Sequence, residues 1–359
     1  MSKYWTELVS QLEPYIPGEQ PQDLQIIKLN TNENPYPPSA DVAQAVKTFP
    51  HDSLRLYPDP ESTALTQALA AYHGLDTSQV FVGNGSDEVL AHCFQTFFKN
   101  QKPILFADIS YSFYPVYSAL YQIDYRTVAL NDAFGIDPAA YRQPNGGIII
   151  PNPNAPTGIA MTLDTIKELL DDNDSLVIID EAYVDFGADS AIELILDYAN
   201  LLVVRTFSKS RSLAGLRLGY ALGQSALIEG LNRVKNSFNS YPIDRLTSAA
   251  AIASLDDESY FQRCRSRIIA TRTWLNDELV NLGFEVLPSS SNFLFVQHSS
   301  HPASDLYLEL KKAGILVRHF NSARINNYLR ISIGSEEECV ALISALKQLL
   351  NPVPTQIPR

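Results

Sequence analysis

The chain has 359 residues, enough for a large and a small domain each with its own core, and its 45% hydrophobic content excludes a disordered protein. A formal net charge of -13 at pH 7 excludes the basic face that nucleic acid or an anionic membrane needs, so any anionic small molecule must be met by a few local arginines. Cys93, Cys264 and Cys339 lie far apart without CxxC spacing and the histidines show no HExxH pattern, so neither a disulfide framework nor a metal site is indicated.

The first residues contain no apolar run of the kind that leads a secreted chain, and no segment approaches the roughly 18 apolar residues that span a bilayer. A cytoplasmic protein in a reducing compartment is therefore expected. Residues 1–40 have little periodicity and carry Pro14, Pro17, Pro21, Pro35, Pro37 and Pro38, which reads as an extended arm or a linker. From residue 41 helices and strands alternate. Thr63 to His73 has helical apolar spacing closed by Gly74. A short strand at 79–82 leads into Gly83-Asn84-Gly85-Ser86-Asp87-Glu88 and a helix over 88–98. Glycines followed by a hydroxyl at a helix start suit a phosphate, although such turns are also common without one.

Strands follow at 104–107, 125–130 and 147–150, with a Tyr-rich helix between the first two that contains Tyr111, Phe113, Tyr114 and Tyr117. Two further apolar runs, 176–179 and 201–204, end in polar clusters: Asp180-Glu181-Ala182-Tyr183 after the first, Thr206, Ser208, Lys209 and then Arg217 after the second. Continuous apolar strands alternating with helices predict a mostly parallel sheet covered on both faces. Such sheets bind ligands at the carboxyl ends of their strands. Taken alone, Ser208-Lys209 fits a solvated loop. Together, a lysine, an aspartate and a tyrosine at strand ends are the set a pyridoxal phosphate site requires: covalent anchor, partner for the ring nitrogen and donor to the ring hydroxyl. Helices are predicted over 225–238, 244–255 and 259–282, the last ended by Gly283. Residues 284–350 read strand, strand (291–296), helix, strand (315–319), strand (328–333), helix, a compact α+β unit followed by a proline-rich tail at 352–358.

In order along the chain stand LNTNENP, LRLYPDP, GNGSDE, PNPNAPTG, DEAY, TFSKSRSLAGLRLGY, SNF and YLRISIG. This series resembles the fold-type I, class I/II aminotransferases that use pyridoxal 5'-phosphate, and within them it is most similar to the histidinol-phosphate aminotransferases. The resemblance implies an α/β large domain of the aspartate-aminotransferase-like type with a mostly parallel sheet, plus a smaller α+β domain. Its boundaries would be an arm at 1–40 contributing to the small domain, a large domain at 41–258, a linking helix at 259–283 and a small domain at 284–359. It further implies that Lys209 is both covalent anchor and proton carrier, that Asp180 faces the pyridine nitrogen, and that Tyr183 bonds the ring hydroxyl. Tyr111 would stack on the ring. Gly85, Ser86, Asp87, Thr206, Ser208 and Arg217 would surround the phosphate.

Tyr57 matches a tyrosine that reaches this phosphate from a partner subunit, which implies a homodimer. Arg330 matches the arginine that grips the α-carboxylate. With Arg318 and Tyr15 it would also hold the phosphate of histidinol phosphate, and Asn32 and Tyr57 complete the substrate-binding set. One departure stands out: where relatives carry the asparagine that bonds the ring hydroxyl, this chain has Ala155. Asn154, Asn152 or Tyr183 alone would have to replace it, and Asn154 is favoured. The expected reaction interconverts L-histidinol phosphate and 2-oxoglutarate with imidazole acetol phosphate and L-glutamate. An aromatic amino acid aminotransferase, a threonine-phosphate decarboxylase and a non-catalytic pyridoxal phosphate-binding regulator are the alternatives.

Overall fold

The computed structural model describes residues 2–21 and 25–350. The proline-rich tail and residues 1, 22–24 and 351–359 of the expected domain boundaries lie outside the described residues. At the centre is a seven-stranded sheet in the order Val80–Asn84, Leu218–Gly223, Leu201–Thr206, Val177–Asp180, Ile148–Pro151, Ile104–Ala107, Tyr125–Val128. Every pairing is parallel except those of Leu218–Gly223, which runs antiparallel to both neighbours. The apolar runs explain this placement. Ile148, Ile150, Val177, Ile179, Leu201 and Val203 pack into one core on one face, and Ile149, Ile178, Leu202 and Val204 into a second core on the other. A strand buried on both faces has no polar alternation to show, which is why the sequence reads as unbroken Val, Ile and Leu.

The register sets the site. Pro151 lies opposite Asp180 and Asp180 opposite Val204, so three neighbouring strands end at one level and deliver their polar termini to one place. The 24-residue helix Glu258–Asn281 then leaves the large sheet and packs Ile268, Leu275 and Leu279 into another core. That core belongs to a four-stranded antiparallel sheet in the order Arg318–His319, Leu329–Ser332, Phe293–His298, Phe284–Val286.

The single strand expected over 315–319 is two. Ile315–Leu316 pairs in parallel with Ile27–Lys28 of the N-terminal arm, while Arg318–His319 pairs with Leu329–Ser332. The arm thus supplies a strand of its own, anchored by Leu29, which is buried beside Ile331 and Ile333. All three cysteines are free and buried, and among the described residues no helix is long and apolar enough to cross a membrane.

Candidate active site

A cavity of about 710 Å³ opens at the carboxyl ends of the large-sheet strands, walled on its other side by the arm and the four-stranded sheet. Tyr15, Asn32, Ser86, Asp87, Tyr111, Asp180, Tyr183, Thr206, Ser208, Lys209, Arg217, Arg318 and Arg330 all reach it. Residues more than 300 positions apart in the chain, such as Tyr15 and Arg330, meet there because the arm lies beside the four-stranded sheet.

On the large-sheet wall, Lys209 follows directly from the Leu201–Thr206 strand, and its Nζ donates to the Thr31 main-chain oxygen at 3.0 Å. The Thr206 hydroxyl donates to Ser208 Oγ at 3.0 Å and accepts from the Ser208 amide at 3.1 Å, which folds the turn tightly ahead of the lysine. Asp180 is 4% exposed. Its carboxylate accepts from Tyr114 Oη at 3.0 Å and from the Ala182 amide at 3.3 Å. Burial pushes this carboxyl up to about 6, against the pull of those two donors. The next residue, Glu181, points away: it accepts from Ser190 and Ala191 and lies 3.8 Å from Arg205, so it is spent on structure.

The Gly85–Cys93 helix aims its start at the same cavity. Gly85 itself does not line the wall; at φ +79° it makes the turn that presents Ser86 and Asp87, and a side chain there would meet the Arg217 guanidinium. Arg217 donates to Asp87 Oδ2 at 2.9 Å, and Tyr111 donates to Asp87 Oδ1 at 3.0 Å. Gly219 lies so close beneath the Ser86 amide that any Cβ would collide with it, so the helix start sits down on the sheet.

On the opposite wall, Arg318 and Arg330 are direct cross-strand partners and therefore share one face of their sheet. Arg330 donates through Nη2 to the Asn30 oxygen at 2.9 Å, while its buried Nε has no partner. Burial, with the charge of Arg318 behind it, pulls Arg330 below the usual guanidinium range. A half-buried cation whose Nε lacks a partner, beside a second cation, is a site built to receive an anion.

Asn32 donates through Nδ2 to Tyr183 Oη at 3.0 Å, and its own amide, carbonyl and side-chain oxygen are tied to Ser332 and Asn292. It is a brace for Tyr183 as much as a wall residue.

Two further expected residues stand elsewhere. Asn154, favoured to replace the missing asparagine, is corrected: its amide nitrogen donates to the Ile109 oxygen and to Thr157 Oγ1 at 3.0 Å each, and it does not line the cavity. Asn152 also turns inward, accepting from the Met161 amide at 2.7 Å. Ala155 and Pro156 form the wall at this point, which leaves Tyr183 and its donor Asn32 as the polar groups on that side. Tyr57 lies off its own chain's cavity; it is 78% exposed and stacked on Tyr241 at 4.8 Å. Conversely, the sequence reading missed Tyr114 as a partner of Asp180, and missed Asn34, whose Nδ2 donates to both the Lys209 and Ser210 oxygens at 3.1 Å. Tyr114 falls three residues after Tyr111 and Asn34 stands next to last in the quoted LNTNENP, but nothing in either spacing names the partner.

The residues present fit pyridoxal phosphate. A lysine amine, a buried carboxylate across from it, and a glycine-shaped helix start flanked by Thr206, Ser208 and Arg217 match its aldehyde, ring nitrogen and phosphate.

The family model for aminotransferase class I and II matches residues 25–346. The chain is 54% identical, over 98% of its length and 99% of the relative, to the histidinol-phosphate aminotransferase of Clostridium botulinum strain 657. It is 57% identical, at the same coverage, to histidinol-phosphate aminotransferase 1 of Hydrogenovibrio crunogenus. In structure it is similar to the histidinol-phosphate aminotransferase of Sinorhizobium meliloti in complex with pyridoxal-5'-phosphate, with a TM-score of 0.84, 26% identity and 98% of each chain covered. The chain belongs to the aminotransferase class I and II family, the pyridoxal phosphate enzymes of fold type I.

Proposed function

We propose that the chain transfers the amino group of L-histidinol phosphate to 2-oxoglutarate, giving imidazole acetol phosphate and L-glutamate, as a cytoplasmic homodimer. One observation carries the substrate: Arg318 and Arg330 face each other across two strands, with Tyr15 beside them, in the cavity that also holds Lys209 and Asp180. Two guanidiniums and a phenol suit a phosphate dianion; one guanidinium suffices for the α-carboxylate of glutamate when the amino acceptor is bound. The names of the relatives at 54% and 57% identity support the same reading.

When bound, pyridoxal phosphate supplies the electron sink for the bond broken at the substrate's α-carbon. The protein's part is placement and proton transfer. Lys209 Nζ reaches into the cavity from a turn that Thr206, Ser208 and Asn34 hold rigid, so its amine can anchor the cofactor and, once released, carry the proton from the α-carbon. Asp180 holds a proton on the ring nitrogen, and its burial makes that charge pairing strong. Tyr183, braced by Asn32, serves the ring hydroxyl without the asparagine that Ala155 replaces. Ser86, Thr206, Ser208 and Arg217 hold the cofactor's phosphate.

Tyr57 stands on an exposed edge with Leu54 and Leu56, which are 62% and 48% exposed, and this supports its delivery into a partner's site rather than its own. An equal mixture of Lys209→Ala and Tyr57→Ala proteins, refolded together, should regain activity that neither has alone. A dimer whose two sites are independent of each other's Tyr57 would show no gain. For the substrate, L-histidinol without its phosphate should lose roughly a hundredfold in kcat/KM, and Arg318→Gln should remove most of that preference. Equal rates with and without the phosphate would remove histidinol phosphate from the proposal.

A further inference from the structure

Two carboxylates, Asp87 and Asp180, reach into one cavity, and each is met by a phenol from one short stretch of chain. Tyr111 donates to Asp87 and Tyr114 to Asp180, both at 3.0 Å, and Tyr117 donates to the Asp87 main-chain oxygen at 2.9 Å. Tyr114 opens the helix Tyr114–Tyr121, and its ring meets that of Tyr111 edge-on at 5.6 Å. Within the helix, Tyr114 and Tyr117 are one three-residue step apart and so lie near each other on its surface. Tyr114 has no exposed surface, and Asp180 is the one acceptor its hydroxyl has among the described residues.

We propose that Tyr114 is a positioning residue for Asp180, supplying the hydrogen bond that keeps this buried carboxylate ionised and aimed into the cavity. The inference rests on the assignment of Asp180 as the partner of the cofactor's ring nitrogen. A buried carboxylate short of donors takes up a proton instead of keeping its charge, and a neutral Asp180 could not hold the ring nitrogen protonated. Asp180 has two donors, and the one from Ala182 is the longer, at 3.3 Å. The titratable groups around it do not replace Tyr114. Asp87 repels the charge, and the Tyr111 and Tyr117 hydroxyls and the Cys93 thiol are all pushed up by burial and stay neutral. Burial pushes the Asp180 carboxyl up to about 6 even with Tyr114 in place. Without the hydroxyl the carboxyl would ionise only at higher pH, so the loss should be greatest near neutrality and should shrink in base.

The test uses Tyr114→Phe, Asp180→Asn and the double variant, each stripped of cofactor. The dissociation constant for pyridoxal phosphate is measured from pH 6 to pH 9 by absorbance, together with kcat, KM and the melting temperature of the cofactor-free protein. Tyr114→Phe keeps the ring that packs against Phe94 and Phe106. It should weaken cofactor binding roughly tenfold at pH 7, with the gap closing toward pH 9, kcat reduced, KM for histidinol phosphate unchanged and the melting temperature near that of the parent. The double variant should bind no more weakly than Asp180→Asn alone. A pH-independent loss, or additive losses in the double variant, would assign Tyr114 to packing and overturn the proposal. If Asp180→Asn weakens binding and Tyr114→Phe does not, the proposal alone fails; if Asp180→Asn itself binds like the parent, the assignment of Asp180 fails and takes the proposal with it.

Discussion

The two walls of the cavity are built on opposite plans. The wall that carries Lys209 and Asp180 hangs from the ends of buried parallel strands, where Ile179, Val203 and Val204 have no exposed surface and the register leaves no freedom. The wall that carries Arg318 and Arg330 is an antiparallel sheet joined to the arm. Away from the site it packs on the large domain through an apolar cluster in which Ile109, Leu130 and Phe134 meet Phe295, Ile325 and Tyr328. At the site the arm reaches the first wall through polar groups: Asn32 to Tyr183, Thr31 to Lys209, Asn34 to the lysine's main chain. Chemistry sits on the wall of strand ends and recognition on the wall of the arm and antiparallel sheet. The difference matters because bond making tolerates little error in position, whereas a wall of two neighbouring guanidiniums can accept either a phosphate or a carboxylate.

That contrast can be broken from either side. Lys209→Ala should have the largest effect, a fall in turnover of roughly 10⁴-fold, with the cofactor still bound but no longer attached; single-turnover absorbance reads both. Normal turnover in that variant would refute the division outright. Arg330→Lys keeps the charge and loses the planar fork, and should raise KM for both histidinol phosphate and glutamate roughly tenfold to a hundredfold while leaving the cofactor's absorbance unchanged. A spectral change would mean that the recognition wall also tunes the ring. Asn34→Ala should have the smallest effect, because it removes a tether and no reacting group. A few-fold loss of kcat, with a modest drop in melting temperature from about 1 kcal/mol per lost hydrogen bond, would mark Asn34 as one link between the walls.

How much of this the sequence discloses follows from the same contrast. The buried strands announce themselves, since runs such as Leu176 to Ile179 and Leu201 to Val204 have one plausible place in a parallel sheet, and their polar ends mark the site. The wall of the arm and antiparallel sheet is less legible. Ile27–Lys28 is two residues long, too short for any pattern, and its partner lies at Ile315–Leu316. The change of partner at Val317 splits what reads as one strand. The error at Asn154 has a similar origin. Adjacency in the PNPNAPTG loop suggests that it can stand in for Ala155, but the chain turns here, with the Gly158 amide donating to the Asn154 oxygen at 2.7 Å, and the Asn154 side chain goes to Ile109 and Thr157. Tyr114 was visible only as one aromatic among several, because what distinguishes it is a carboxylate 66 residues away in the chain.

The most direct test of the account is one half-reaction. The cofactor-loaded enzyme is mixed with L-histidinol phosphate in the absence of any keto acid, with L-phenylalanine in a parallel cell, and the absorbance of the lysine-bound cofactor is followed. Rapid loss of that band with histidinol phosphate and slow loss with phenylalanine is the predicted result, and Arg318→Gln should abolish the difference. Equal or faster reaction with phenylalanine would contradict the assignment of the two arginines to a substrate phosphate and make the chain a broad aromatic aminotransferase, with Lys209 and Asp180 keeping their roles.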